Sequence, residues 1–387
     1  MKDLHTCSCL LNMFVSWHKI IKLNLFFKIV SVVGSLSISK TVKQWITLSC
    51  SNNLFTFTIS IQHMATSFVK AVNLFLSGSS YLQSAFTGRP AIRGMPAAIS
   101  AELTNHCNLN CPECSSGSGI MTRKRGFMDV GLFRNVIDEL RPYVNNSSLY
   151  FQGEPMLHPH FFDFLEHSGG LSTTVSTNGH FLTAANSEKI ASSRLGRLIV
   201  SLDGLDQDVF STYRKKGDFG RVIEGIDNVL AARRKLHSSL AVEVQFLVNR
   251  FNEHQIVQAE RFASERRIRL RLKSMQVINE ESIEEWMPEM RRYRRYELNG
   301  RRYAIKSSMP NRCRRVWFNP VVTWDGKVIP CCFDKNSNYV MGDLSINSFR
   351  EIWNGSEYQN FRRRILTGRS HINICRNCTE GLKGIKT

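Results

Sequence analysis

From residue 97 to residue 273, short apolar runs alternate with amphipathic helical stretches, and this rhythm limits the fold more than any other feature of the 387-residue chain. Strands are expected at 98–103, 148–151, 173–176, 197–202, 240–248 and 268–273. Between them, 130–140 carries apolar residues at helical spacing with Asp129 placed to cap it. Further helices are expected near 160–167, from 184, through 213 and 222–236, and near 254–265. Six strand–helix units in series predict a parallel sheet with right-handed crossovers, open or rolled into a partial barrel. Ligands of such sheets bind beyond the carboxyl ends of the strands. The polar punctuation falls at those ends: a cysteine loop after the first strand, Gly153-Glu154-Pro155 after the second, Thr177-Asn178-Gly179 after the third and Ser201-Leu202-Asp203-Gly204 after the fourth.

The eleven cysteines are an odd number in tight local groups, which is not a disulfide framework. Cys107, Cys111 and Cys114 share one short loop, Cys313, Cys331, Cys332, Cys375 and Cys378 come late, and Cys7, Cys9 and Cys50 lie near the start. Clustered thiolates at short spacing point to metal or Fe–S ligation in a reducing compartment, so a cytoplasmic location is expected. Three thiolates on a cubane leave its fourth iron open to a small molecule. The competing reading is a three-cysteine zinc site completed by a distant ligand such as His106, but zinc favours pairs spaced Cys-x2-Cys.

The spacing Cys107-x3-Cys111-x2-Cys114, on the loop after the first strand of a βα series, resembles the radical S-adenosylmethionine (SAM) superfamily. The resemblance covers about 97–275 and implies a partial (β/α)6 TIM-like barrel with a SAM-binding [4Fe–4S] cluster on those three cysteines. Gly153, Glu154 and Pro155 then match the motif that receives the SAM amino group. Ser176 and Asn178, with Ser201 and Asp203, match positions that contact the SAM ribose and carboxylate. Taken alone, each of these is ordinary turn chemistry; their order after successive strands carries the argument. Two departures stand out: Glu113 occupies the place before the third cysteine where the family has an aromatic residue, and Gln152 stands where the family's motif begins with glycine. The implied chemistry is reductive cleavage of SAM to a 5′-deoxyadenosyl radical that abstracts a substrate hydrogen, with the electron supplied by a donor such as flavodoxin or ferredoxin.

Cys313, then Gly326 separated by four residues from Cys331, then Cys375-x2-Cys378, resembles the first part of a SPASM-type auxiliary domain. This implies one auxiliary [4Fe–4S] cluster on Cys313, Cys331, Cys375 and Cys378, with Cys332 the alternative to Cys331. Four thiolates also satisfy tetrahedral zinc, which is the competing reading here. By resemblance the enzyme is an oxidoreductase or maturase, acting on a small molecule (a sugar, aminocyclitol or nucleotide-linked compound) or on a peptide. Residues 64–96 are too short for a peptide-binding winged helix, which favours a small or carrier-borne substrate. No residue is assigned to proton transfer; Asp334, Arg271, Tyr213 and the histidines are candidates that ordinary structural roles also explain.

The expected organisation is an extension at 1–63, a helical segment at 64–96, the radical SAM core at 97–275, a basic linker at 276–306 and a Cys-rich auxiliary domain at 307–387. Residues 1–63 hold Asp3 as their single acidic residue, and their composition reads as a non-native or disordered extension ahead of Met64. Their apolar stretch 23–36 is short and interrupted by Asn24 and Lys28, which argues against a membrane span. The net charge of +19 raises two other functions, an RNA-modifying radical enzyme and a non-catalytic metal protein with a basic partner-binding face. The basic residues are spread widely and no zinc-finger or RNP motif accompanies them, so nucleic acid is not the expected partner.

Overall fold

The computed structural model describes residues 54–386, with side chains from residue 66 onward. The extension expected at 1–63 therefore lies outside the described residues up to 53, and the boundary at 63 falls within a helix, α1 (Leu54–Thr87). Gln62–Thr387 form one compact unit.

The βα series follows. It runs β1 (Ala98–Ala101), α2 (Val130–Leu140), β2 (Asn146–Ser148), α3 (Phe161–His167), β3 (Ser172–Thr177), α4 (Ala184–Ser192) and β4 (Arg197–Ser201). After these come α5 (Gln207–Tyr213), α6 (Phe219–Lys235), β5 (Ala241–Val248), α7 (Ile256–Glu265) and β6 (Arg269–Ser274). The six strands pair in parallel in chain order, forming the α/β partial barrel expected for this series. Asp129 caps α2 by accepting from the Leu132 N–H at 2.8 Å. The second strand lies two to three residues earlier than its apolar run. Leu149 still bonds Thr174 O at 2.9 Å, but Tyr150 and Phe151 already belong to the loop beyond.

Strand alternation divides the sheet into two faces. On β5, Val242, Val244, Phe246 and Val248 are buried among core side chains, while Glu243, Gln245 and Leu247 take the opposite face. On β6, Leu270 and Leu272 join the apolar side and Arg269, Arg271 and Lys273 the other. The barrel thus has a largely polar inner wall.

The stretch 276–306 contains a four-residue helix, α8 (Ile283–Trp286), and a hairpin of β7 (Tyr296–Asn299) with β8 (Arg302–Ile305). Then come α9 (Arg315–Phe318), β9 (Val321–Val322), β10 (Lys327–Ile329), β11 (Gly342–Asp343), α10 (Phe349–Asn354), α11 (Ser356–Gly368) and α12 (Asn373–Arg376). β9 pairs in parallel with β1, Ser100 opposite Val321, and β10 and β11 follow antiparallel, so the C-terminal region extends the barrel's own sheet. Tryptophans from the same region hold the lead-in to β1: Trp317 donates to Ala91 O at 3.2 Å and Trp353 to Gly94 O at 2.9 Å. From the other side, Asn73 on α1 both donates to Met95 O and accepts from Met95 N–H. Among the described residues no helix is long and apolar enough to cross a membrane.

Candidate active site and metal centres

The loop after β1 is pinned before it reaches its first cysteine. Glu102 is fully buried and makes a bidentate pair with Arg123 at 2.6 and 2.7 Å, and Asn105 donates to Lys124 O at 2.9 Å. Beyond it, Leu109 N–H points at Cys107 Sγ from 3.4 Å and Arg214 Nη1 at Cys111 Sγ from 3.8 Å. Burial pushes the Cys107 thiol up to about 11, and burial also raises Cys111. Cys107 feels Cys111 and Cys114, and Cys111 feels Cys114. Thiols of this kind ionise when a cation accepts them, which fits the donor set of a thiolate-ligated cluster.

The second loop is pressed against the first. Gly153 has φ +74°, and a Cβ there would meet His106 O at 2.5 Å and Thr104 O at 2.6 Å, so the position demands glycine. Its N–H donates to Ser116 Oγ at 3.1 Å, and the Glu154 N–H donates to His106 O at 2.8 Å. The Glu154 side chain is 1% exposed and accepts from Thr177 Oγ1 at 2.8 Å, Asn178 N–H at 2.7 Å and Met156 N–H at 3.1 Å. Burial pushes its carboxyl up to about 7, although these hydrogen bonds work against the shift. Pro155 opens the short 3-10 turn Pro155–Leu157 and fixes the loop's exit.

Ser176, at the end of β3, is half-buried, and Asn178 donates to Asn108 Oδ1 at 2.8 Å and reaches Cys107 Sγ at 3.9 Å. Ser201 is buried at the end of β4. Asp203 is buried beside it with both oxygens engaged: Oδ1 takes the Leu247 N–H and Oδ2 takes Arg214 Nε, each at 2.6 Å. Asp203 thus ion-pairs with Arg214, whose Nη1 lies 3.8 Å from Cys111 Sγ. Burial opposes the Arg214 charge, but Asp203 and Cys111 overcome this and keep it a cation. Sequence reasoning missed Arg214, because nothing in its spacing distinguishes it from the many other basic residues.

The late cysteines also gather. Cys313, Cys331, Cys375 and Cys378 are all buried, and Cys332 is half-buried. Cys331 feels Cys332, Cys313 and Cys378, while Cys375 feels Cys378 and Cys313. Burial pushes Cys375 up to about 12 and Cys378 up to about 11. Arg369, itself buried, donates to Cys378 Sγ at 3.3 Å, and the Glu380 N–H does so at 3.4 Å. Cys332 makes itself felt electrostatically at Tyr150, Lys273, Arg315 and Lys335. Among the described residues no three His, Cys, Asp or Glu side chains close on one point as ligands of a single ion.

The candidates for proton transfer have structural partners. Asp334 accepts the N–H groups of Asn338 and Tyr339, Arg271 pairs with Glu243, and Tyr213 packs edge-on to Trp286. At the mouth of the barrel a cavity of about 730 Å³ is lined by Glu113, Ile278, Asn279, Thr212, Lys215 and Trp286, among others.

A parallel βα barrel with a triple-cysteine loop after its first strand, joined through its sheet to a second thiol set, defines an α/β iron–sulfur enzyme. The radical SAM superfamily model matches residues 101–263 and that of the SPASM iron–sulfur cluster-binding domain residues 313–379. Residues 101–263 thus form a radical SAM domain, which binds a [4Fe–4S] cluster and SAM, and residues 313–379 a SPASM domain, which binds auxiliary Fe–S clusters; the chain spans about two-fifths of the length of the first curated relatives it matches. It is 31% identical over 140 residues to an AdoMet-dependent heme synthase of Methanosarcina barkeri, a match covering 35% of this chain and 40% of the relative. It is 22% identical over 287 residues to the S-adenosyl-L-methionine-dependent 2-deoxy-scyllo-inosamine dehydrogenase of Niallia circulans, covering 72% and 91%. Among solved structures, Streptococcus suis SuiB bound to precursor peptide SuiA superposes with a TM-score of 0.53 at 14% identity, covering 93% of this chain and 83% of that one.

Proposed function

We propose that this enzyme reductively cleaves SAM and uses the product to abstract a hydrogen atom from its substrate, with one auxiliary [4Fe–4S] cluster assisting a net oxidation or modification. When bound, the cluster and SAM together supply the 5′-deoxyadenosyl radical. In this reading Cys107, Cys111 and Cys114 hold the first cluster, and Arg214 stabilises the thiolate of Cys111. Glu154, Ser176, Asn178 and Ser201 present oxygen and nitrogen groups to SAM, Gly153 and Pro155 shape the loop, and Asp203 positions Arg214. Cys313, Cys331, Cys375 and Cys378 hold the auxiliary cluster; the deeper burial of Cys331 supports it over Cys332. The electron comes from a one-electron donor such as flavodoxin or ferredoxin, in the cytoplasm. The substrate is a small molecule or a peptide. The dehydrogenase similarity, which spans most of both chains, supports the former, and the SuiB fold similarity does not separate the two.

The observation that carries this reading is the fit of Gly153 against His106, which brings the Glu154 loop onto the cysteine loop at a contact too close for any other residue. Anaerobic purification tests it. Brown protein holding about eight irons, as two cubanes require, and forming 5′-deoxyadenosine from SAM with dithionite is the expected result. Colourless, zinc-loaded protein that leaves SAM intact would overturn it.

A further inference from the structure

Helix α1 is amphipathic the wrong way round. Asn73, Ser77, Ser80 and Ser84 lie on its buried side, and they meet backbone rather than apolar core. Ser77 Oγ donates to Met95 O at 2.7 Å, Ser80 Oγ accepts the Arg93 N–H at 3.0 Å and Ser84 Oγ accepts the Ala91 N–H at 2.8 Å. With Asn73 on Met95, these side chains satisfy the polar groups of the irregular lead-in to β1, which is why the inward side is polar. The apolar residues are left outside.

On that outer side Phe68, Ala71, Phe75, Gly78, Leu82 and Ala85 recur at alternating spacings of three and four, the a and d positions of a coiled-coil seam. Phe68, Phe75 and Phe86 are 49%, 74% and 89% exposed. With a phenylalanine at about 200 Å², the bare parts of these three side chains come to about 400 Å², half of the ~800 Å² per partner that a stable dimer buries. Leu74 and Leu82 are exposed as well and add to it. Lys70 is the only charged residue between Thr66 and Thr87 and lies off the seam, so the net charge of +19 sets no like charges against each other there.

Size alternates along the seam. Phe68, Phe75 and Leu82 are large, Ala71, Gly78 and Ala85 are small, and a Cβ on Gly78 would meet nothing within 4 Å. We infer that two copies of this chain associate through α1, antiparallel about a two-fold axis midway between Phe75 and Gly78. That axis sets Phe68 on Ala85 of the second copy, Ala71 on its Leu82 and Phe75 on its Gly78, with the reciprocal three contacts following by symmetry. Every layer then joins a large residue to a small one, so the seam is complementary to itself. A parallel pair would set phenylalanine on phenylalanine and glycine on glycine. Fluid acyl chains fill any profile, so a bilayer does not account for the alternation.

Sedimentation equilibrium of the anaerobic, cluster-replete full chain tests this, and the wild type should form a reversible dimer in the micromolar range. F75A leaves a hole in two symmetric layers and G78F overfills the same two, so each should raise the dissociation constant at least about tenfold. F75A/G78F again sets a large residue on a small one and should recover most of the loss. Gly78 borders open space within one chain, so all three variants should keep the iron content and circular dichroism of wild type. A wild type that stays monomeric, as when residues 1–53 of the same chain cover this face, would overturn the proposal. So would a dimer indifferent to both single variants, or flotation with phosphatidylserine vesicles that G78F strengthens. A double variant as weak as the two single losses combined would overturn the antiparallel register.

Discussion

The carboxylate of Glu113 accepts the backbone N–H of Ile278 at 2.5 Å, and that of Asn279 at 3.3 Å, tying the cysteine loop to the segment that follows β6. The residue before the third cysteine is thus a strap between two walls of the mouth cavity, where the family has an aromatic ring. E113A should keep its iron and lose SAM affinity, because the 278–279 segment is released. E113Q, which still accepts one N–H, should fall between. Equilibrium SAM binding against iron content checks this, and equal affinity in all three proteins would refute it.

Cys111→Ala removes a ligand from the first cluster in the proposed reading and should abolish 5′-deoxyadenosine formation. Cys375→Ala should leave SAM cleavage partly intact while blocking product. Paired assays of 5′-deoxyadenosine and substrate turnover decide the matter. Normal product from the second variant would remove the auxiliary cluster from the mechanism.

Gly153→Ala places a methyl group 2.5 Å from His106 O at a left-handed φ. The backbone penalty alone is about 1–2 kcal/mol, and the contact forces the two loops apart. A lower unfolding temperature together with poor cluster loading is expected; a variant that matches wild type in both would show that the loops do not depend on this contact.

Arg214→Met leaves Asp203 buried with only the Leu247 N–H to stabilise its charge. Breaking a buried pair on one side costs about 3–5 kcal/mol. The double variant D203N/R214M should recover part of that loss in denaturant unfolding, without recovering SAM cleavage.

Glu154 gives a pH signature. Its folded value of about 7 lies above its ordinary 4.5, so the folded protein holds this proton more tightly than the unfolded chain does. Between those two values the stability contributed by Glu154 therefore falls as pH rises, and above about 7 it levels off. Glu154→Gln removes this dependence. Unfolding of the SAM-free protein should show the variant gaining on wild type from pH 4.5 to 7; a constant difference across that range would refute the assignment.

Five of the six barrel strands were readable because each carries several residues of one pattern, and Asp129 because a cap needs only its local neighbours, whereas β2 (Asn146–Ser148) is three polar residues and its apolar run marks only the loop beyond it. Cys107, Cys111 and Cys114 were readable for the same reason: they lie on one loop. The β9–β10 hairpin was not. A two-residue strand such as Val321–Val322 has no period to detect, and its partner on β1 lies more than two hundred residues away. The basic run near 291–302 reads as linker because its alternation is weak, yet Tyr296 finds Val277 and Asn377 as hydrogen-bond partners and the hairpin is packed in place. Arg214 is hidden among 51 lysines and arginines, and only its contacts with Asp203 and Cys111 in the folded chain set it apart.

The pairing of β1 with β9 also orders events in time. Ser100, seven positions ahead of Cys107, hydrogen-bonds Asn319, which lies 219 positions later. On the ribosome, the strand leading into the cysteine loop therefore emerges with a bare edge and stays so until the residues 219 positions later have been made. The cysteine loop thus acquires its final support from the sheet only after synthesis reaches β9. A chain truncated before that point would leave β1 with an unpaired edge, open to pairing with another strand.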